Sequence, residues 1–143
     1  MSQFLLEIIT PKRKVFSERV EHVTVPTADG SIEVLARHEA LFTSLSDGEL
    51  KISAGGKEYF LAIGGGFMQV IPDGVVTILV SRAVHADEVN ESEIKKAMES
   101  AKSLIARKVT GDELSQAMAL LQRSKLELKV ARRRKVRSFV ASE

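Results

Sequence analysis

The feature that most constrains this chain is a change of hydrophobic period near residue 88. Before it, short apolar or alternating runs follow one another, separated by turn signals such as TADG, SDGE and PDG. Such runs are typical of β-strands. After it, apolar residues recur at spacings of three and four, which is the period of an amphipathic helix. The sequence therefore predicts a β domain over residues 1–87 and a helical domain over residues 88–143.

The β part contains seven runs that predict strands. They are Phe4–Ile9, Val20–Val25, Ile32–Leu35, Leu50–Ser53, Tyr59–Ile63, Phe67–Ile71 and Val75–Val80. Short strands with frequent turns favour an antiparallel sandwich or barrel over a parallel sheet with crossover helices.

The helical part predicts two helices joined by a short turn at Gly111. Asn90 is the expected N-cap of the first, with Glu93 three residues later as its capping-box partner. Each helix is expected to have a stripe of apolar residues along one face. In the first helix the stripe is Ile94, Ala97, Met98, Ala101, Leu104 and Ile105. In the second it is Leu114, Ala117, Met118, Leu121, Lys125 and Leu128, apolar except at Lys125. Two stripes and a short turn predict an antiparallel hairpin.

Three consecutive glycines, Gly64–Gly66, raise the question of a phosphate-binding loop. Such a loop continues into a helix, and the P-loop kind carries Lys-Ser or Lys-Thr after its last glycine. Here Phe67–Val70 follows with the pattern of a strand. We therefore predict a bulge or a tight crossing between strands, where glycine permits close backbone approach.

Other catalytic signals are absent from the sequence. The chain has no cysteine, which excludes thiol catalysis and thiolate metal sites. His22, His38 and His85 are scattered, without a metal-ligand spacing. No secretory signal is visible at the N-terminus, and the run Val75–Val80 is far shorter than a membrane span. The sequence predicts a protein that is not an enzyme and does not cross a membrane by itself.

The charge is unevenly distributed. Residues 1–86 carry a net charge of −2 and residues 87–143 a net charge of +4. Four consecutive cations, Arg132–Lys135, repel one another, so the run indicates an acidic partner that offsets this repulsion, with a solvated helix end as the alternative. Nucleic acid and an acidic protein surface both fit this run, although no Tyr or Trp lies nearby to stack on bases.

Two stretches resemble the epsilon subunits of bacterial and plastid F-type ATP synthases. TADGSIEVLARHEALFTSLSDGEL, residues 27–50, is similar to that family's glycine, strand, PGH, PLLT and PGxL series. YFLAIGGGFMQVIPDGVVTILVSRAVHADEV, residues 59–89, is similar to its GGFVEV and VTVLA block. With the helical hairpin in the expected place, the resemblance covers nearly the whole chain.

The resemblance implies a non-catalytic rotor subunit of the central stalk that links the gamma subunit to the c-ring. It implies a sandwich of about ten strands, and mobile C-terminal helices that restrain ATP hydrolysis by contacting an acidic segment of the beta subunit. It further implies a peripheral position on the cytoplasmic face of the bacterial plasma membrane, or on the stromal face of the thylakoid.

The resemblance also assigns candidate contact residues. Ser31 and Ile32 match the hairpin tip that faces the c-ring, although the family's Gly-Glu-Leu-Gly tip is Gly-Ser-Ile-Glu here. The gamma contact corresponds to His38, Glu39, Ala40, Leu41 and Phe42, and the family's PGH is Ala-Arg-His here. The beta-subunit contact corresponds to Arg132, Arg133, Arg134, Lys135 and Arg137.

Some family members bind ATP through an Ile/Leu-Asp-x-x-Arg-Ala motif and arginines on the second helix. The matching positions are Glu93, Lys96 and Arg123, while Glu127 takes the place of a further arginine. Lysine cannot reproduce the forked geometry of a guanidinium. The resemblance implies no required cofactor, and these departures count against ATP as a regulatory ligand.

Two other functions stay open at this point. One is a nucleic-acid-binding module that uses the basic end of the second helix, and the other is a sandwich that binds a small molecule. Salt-sensitive binding to RNA or DNA would distinguish the first, and a ligand-induced rise in melting temperature the second.

Overall fold

The computed structural model describes the backbone of residues 2–72 and 74–141, and side chains up to residue 133. The chain divides into two compact units, Met1–His85 and Ala86–Glu143. The first is a β-sandwich and the second a pair of helices.

The sandwich contains ten strands in two five-stranded sheets. The strands are β1 (Phe4–Ile9), β2 (Lys14–Val20), β3 (His22–Thr27), β4 (Gly30–Leu35), β5 (Leu41–Leu45), β6 (Gly48–Ala54), β7 (Lys57–Ile63), β8 (Gly66–Ile71), β9 (Val75–Val80) and β10 (Ala83–His85). The first sheet has the order β2-β1-β9-β8-β5 and the second the order β10-β7-β6-β3-β4. The predicted sandwich is confirmed, with one departure: β1 and β9 pair in parallel.

Three of these strands were not among the seven predicted runs. β2, β5 and β10 each lie at the edge of a sheet, where fewer side chains reach the core. β2 has the sequence KVFSERV and β10 is three residues long, so neither shows a sustained apolar alternation. The predicted run Val20–Val25 is divided at Glu21, since Val20 ends β2 and His22 begins β3.

The core lies between the two sheets. In β1, Phe4, Leu6 and Ile8 are buried and alternate with partly exposed residues. The same alternation in the other strands adds further fully buried side chains, among them Val23, Val25, Leu50, Ile52, Leu61, Ile63, Met68 and Ile78. Each large apolar side chain of this kind contributes about 1.5–3 kcal/mol relative to exposure. The sandwich thus has a continuous core of its own.

The glycine run forms a tight crossing, as predicted. A Cβ atom on Gly66 would lie 1.9 Å from the carbonyl oxygen of Leu79, which is an impossible contact. The backbone N–H of Gly65 donates to Oδ1 of Asp47 at 2.7 Å, and that of Gly64 donates to the carbonyl of Arg82 at 2.9 Å. Glycine is needed here for close approach, and a strand, not a helix, follows the run.

The second unit begins with a 3₁₀ turn, Ala86–Glu88, and continues with α1 (Glu91–Ala106) and α2 (Asp112–Ala141). Asn90 caps α1 as predicted, because its side chain accepts hydrogen bonds from the backbone N–H groups of Ser92 and Glu93. The chain leaves α1 through Lys108, whose φ of 58° is left-handed, and enters α2 after Gly111. The two helices form the predicted hairpin.

The buried stripe of α1 agrees with the prediction, but that of α2 differs. Met118 and Lys125 are exposed, whereas Ser124 and Ala131 are buried. The buried residues in the part of α2 whose side chains are described are Ala117, Ser124, Val130 and Ala131, and Leu114, Leu121 and Leu128 are half-buried on the same side at spacings of three and four. The prediction was wrong at Met118 and Lys125. The apolar side chain of Met118 favoured a buried position, whereas Ser124 carries a hydroxyl and gives no hydrophobic signal.

Candidate functional site

The predicted c-ring contact lies beside the hairpin turn between β3 and β4. Ser31 and Ile32 pair with Pro26 and Val25 of β3, so they follow Gly30 as the second and third residues of β4 after the turn. The turn is held by the hydroxyl of Thr27, which donates to the carbonyl of Gly30 at 2.5 Å. Ser31 is exposed and Ile32 is half-buried. A short hydrogen-bonded turn therefore presents these residues at a fixed end of the sandwich.

A groove of about 430 Å³ lies next to this tip. It is lined by Thr27–Ile32 on one side and Thr43–Ser46 of the β5 region on the other. Five of the ten lining residues carry hydroxyl groups, and Asp29 contributes a carboxylate. The groove can accept a polar loop that offers hydrogen-bond donors.

The predicted gamma contact connects the edge strand of one sheet to the edge strand of the other. It leaves β4 after Leu35 and reaches β5 at Leu41. Arg37 has a φ of 66°, and the backbone N–H of His38 donates to the carbonyl of Leu35 at 3.3 Å. Nδ1 of His38 donates to the carbonyl of Glu39 at 2.8 Å. These bonds fix a sharp turn in the connection.

This segment exposes a mixture of polar and apolar groups. Glu39, Ala40 and Phe42 are exposed, and His38 and Leu41 are half-buried. Phe42, at 68% exposure, stacks on Phe67 of β8 with ring centroids 5.6 Å apart. The predicted contact therefore continues onto a strand that the sequence analysis did not include.

Phe67 and Leu79 are the surface residues that the sequence analysis missed. They face each other across β8 and β9 and are about half exposed. A signal was available, since both strands carry apolar residues at inward and outward positions alike. In an antiparallel sandwich the outward positions are ordinarily polar, so apolar residues at outward positions such as Phe67 and Leu79 predict an apolar patch on the outer face.

The basic end of α2 is only partly described. Arg132 and Arg133 are exposed. The side chains of Arg134, Lys135 and Arg137 lie outside the described residues. Lys125 and Lys129 are exposed at helical spacing from Arg132, so the positive charge extends back along one face of the helix.

The positions that match the ATP motif lie on the surface of the helices. Glu93 and Lys96 of α1 and Arg123 of α2 are all exposed. Exposed charges at these positions can meet phosphate groups only with full competition from water, which weakens each contact.

The described residues contain neither a cluster of metal ligands nor a helix that could span a membrane. Within residues 2–72 and 74–133, no three His, Asp or Glu side chains converge as metal ligands would. Neither helix, over the part of it that the structure describes, has the length and apolar composition of a membrane span.

Comparison with known proteins gives a consistent match. The family model described as "ATP synthase, Delta/Epsilon chain, beta-sandwich domain" matches residues 3–86. The ATP synthase epsilon chain of Herpetosiphon aurantiacus is 39% identical over 132 residues, which cover 92% of this chain and 96% of that protein. The epsilon chain of Dehalococcoides mccartyi is 38% identical over 136 residues, with 94% and 96% coverage.

Solved structures agree with the sequence matches. A chain in the cryo-EM structure of the Euglena gracilis mitochondrial ATP synthase, described as OSCP/F1/c-ring in rotational state 1, is similar with a TM-score of 0.66 and 27% identity. The alignment covers 91% of this chain and 78% of that one. A chain from the Tetrahymena thermophila mitochondrial ATP synthase shares the fold, with a TM-score of 0.53 and 20% identity.

Proposed function

Because this chain belongs to the ATP synthase epsilon-chain family, we propose that it links the gamma subunit to the c-ring in the central stalk of a proton-driven ATP synthase. Epsilon chains are accessory subunits and not the catalytic ones. The observation that carries the proposal is the match to epsilon chains over almost the full length of both proteins. The relatives give no support to a nucleic-acid-binding module.

The c-ring contact is proposed for Ser31 and Ile32. Their position beside a short, hydrogen-bonded turn supports it, because a rigid tip loses little conformational entropy on binding. The adjoining groove supplies acceptors for a polar loop, and its serine and threonine hydroxyls tolerate several pairing geometries.

The gamma contact is proposed for the segment His38–Phe42. Its turn is fixed by two local hydrogen bonds, and it presents the exposed ring of Phe42. Exposed aromatic rings on a rigid segment are common anchors of protein interfaces.

The helical unit is proposed to restrain ATP hydrolysis. Its basic stretch, Arg132, Arg133, Arg134, Lys135 and Arg137, would meet an acidic segment of the beta subunit, and the exposure of Arg132 and Arg133 supports this. Charge pairing across such an interface sets orientation and association rate. A two-helix unit with its own hairpin can exchange one packing partner for another.

ATP is not proposed as a required ligand. Glu93, Lys96 and Arg123 are exposed, and the ammonium of Lys96 cannot grip phosphate with the two parallel hydrogen bonds that a guanidinium makes. The chain is proposed to associate with the membrane through the complex, on its cytoplasmic face in a bacterium or its stromal face in a plastid.

Co-purification with the cognate gamma subunit and c-ring tests the stalk assignment. We expect the full chain and residues 1–87 to bind gamma equally well, because the core of the sandwich lies wholly within that range. The full chain should give a stable ternary complex with the c-ring. Failure of the full chain to bind gamma would overturn the proposal, and failure of residues 1–87 alone would assign the contact to the helices.

A further inference from the structure

The turn between β5 and β6 supports the tip of the β3–β4 hairpin. The backbone N–H of Ser46 donates to the carbonyl of Pro26 at 3.0 Å. Gly48 lies so close to the same proline that an added Cβ atom would lie 2.7 Å from the proline side chain. Pro26 is followed by Thr27, whose hydroxyl closes the hairpin turn. A displacement of the β5–β6 turn would therefore displace the tip as well.

The side chain of Asp47 joins this turn to the place where the chain passes between the two sheets. Its Oδ1 atom accepts a hydrogen bond from the backbone N–H of Gly65 at 2.7 Å. Its Oδ2 atom lies 4.0 Å from Nη2 of Arg82, which follows β9. The carbonyl of Arg82 accepts from the backbone N–H of Gly64 at 2.9 Å. One carboxylate thus connects the support of the tip to both crossing segments.

The ion pair between Asp47 and Arg82 is incompletely formed. Its separation of 4.0 Å is longer than a hydrogen bond, and the side chains of Asp47 and Arg82 are 68% and 27% exposed. Nε and Nη2 of the guanidinium are buried without a hydrogen-bond acceptor among the described residues. Arginine keeps its charge in proteins, and buried donors without acceptors are unfavourable. A closer approach of the carboxylate would therefore stabilise the guanidinium.

Asp47 stands at the border of the groove beside the tip. Thr43–Ser46 line that groove, and Asp47 is the next residue of the chain. A molecule that fills the groove displaces water from around the carboxylate, and the attraction between opposite charges rises as the surrounding dielectric constant falls. Docking at the groove should strengthen the ion pair, and by thermodynamic linkage the ion pair should strengthen docking to the same extent.

We propose that Asp47 and Arg82 are positioning residues for the c-ring contact, and that their ion pair closes when a polar loop of the c-ring fills the groove. The inference rests on the proposed stalk function and deepens it, since neither side chain has to touch the ring. In the free chain the pair contributes little, as is common for exposed ion pairs. In the docked chain it holds the β5–β6 turn against the crossing and so keeps Ser31 and Ile32 in place.

The test is a double-substitution cycle on the complex of the full chain with its gamma subunit, in which the affinity for the detergent-solubilised cognate c-ring is measured. The variants are Asp47→Asn, Arg82→Gln and both together. Asparagine keeps a side-chain oxygen for the N–H of Gly65 and removes only the charge. Arg82→Lys, which keeps the charge, is the conservative variant. Melting temperatures of the free chain establish that each variant is folded.

The matched control is a second exposed ion pair of the sandwich. Nζ of Lys51 and Oε1 of Glu58 lie 3.4 Å apart on β6 and β7. Glu58 pairs with Ser53, near the turn that joins these strands and at the other end of β6 from Gly48. Lys51→Gln, Glu58→Gln and the double substitution should each change the affinity for the c-ring by less than about twofold, because this pair does not support the tip.

We expect Asp47→Asn and Arg82→Gln each to weaken binding to the c-ring about fivefold, which is the upper end for exposed ion pairs. The double variant should bind no more weakly than either single variant, because each substitution removes the same pair. Arg82→Lys should recover most of the lost affinity. Asp47→Asn should leave the melting temperature of the free chain nearly unchanged, because the pair is open there.

Folded variants that bind the c-ring as tightly as the wild type would overturn this inference and leave the stalk function standing. Losses that multiply in the double variant would also overturn it, because the two residues would then act independently. A fall in melting temperature without a loss of affinity would reduce the pair to a structural role and overturn the inference in the same way. A wild-type complex that does not bind the c-ring would overturn both the inference and the stalk function.

Discussion

At the scale of single residues, the fold depends on positions where an added atom has no room. Gly66 begins β8 and lies against the carbonyl of Leu79. Gly65, one residue earlier, has its nearest neighbour at 3.3 Å, where a small shift can accommodate a methyl group. Neighbouring glycines in one run therefore have different structural roles.

Gly66→Ala should destabilise the sandwich strongly, by about 3 kcal/mol or more, because its Cβ would overlap a backbone atom that cannot rotate away. Gly65→Ala is the matched control and should cost about 1 kcal/mol or less. Urea unfolding of the full chain, followed by the β-sheet signal in circular dichroism, measures both. Equal destabilisation by the two substitutions would contradict this account of the crossing.

At the scale of elements, the sequence predicted central strands better than edges. Central strands such as β9 are sustained apolar runs because both neighbours and the core surround them. β2, β5 and β10 have less apolar surroundings, so their sequences carry a weaker pattern. The chain reversal between β4 and β5 was located only by resemblance, since one of its hydrogen bonds joins backbone groups that any sequence possesses and the other uses a single histidine, which gives no turn signal.

Prediction from sequence was also incomplete for the helices. Apolar spacing located both helices and the Asn90 cap, but it could not reveal that a buried position of α2 would carry a hydroxyl. The surface of the sandwich was predicted in part, since Phe42 was assigned and its stacking partner Phe67 was not. That contact joins residues distant in sequence, and only the strand register brings them together.

Ser124→Lys should disrupt the helical unit, because it places a charge where the serine is 1% exposed. Burying an unpaired charge costs several kcal/mol, so we expect a loss of helical signal or a fall in its melting temperature by about 10 °C or more. Lys125→Ser, at the adjacent exposed position, is the control and should change neither quantity measurably. A larger effect of the substitution at residue 125 than of that at residue 124 would contradict the structure and support the sequence prediction, in which Lys125 and not Ser124 belongs to the stripe.

At the scale of the whole molecule, the two units have different chemistry. The sandwich has a continuous core, a rigid tip and an apolar outer face, which suit a permanent structural contact. The helical unit has a stripe rich in small residues and a basic exposed face, which suit a contact that forms and breaks. This division agrees with a subunit that is held in a stalk by one unit and acts through the other.

The most direct measurement is the ATPase activity of a cognate catalytic head with its gamma subunit, with and without this chain. The wild type should bind and lower the activity. The Arg132→Ala, Arg133→Ala, Arg134→Ala triple variant should bind equally well but inhibit several-fold less, because it loses the charges proposed to meet the beta subunit. A wild-type chain that binds without lowering the activity would contradict the inhibitory role, and one that does not bind would contradict the stalk assignment itself.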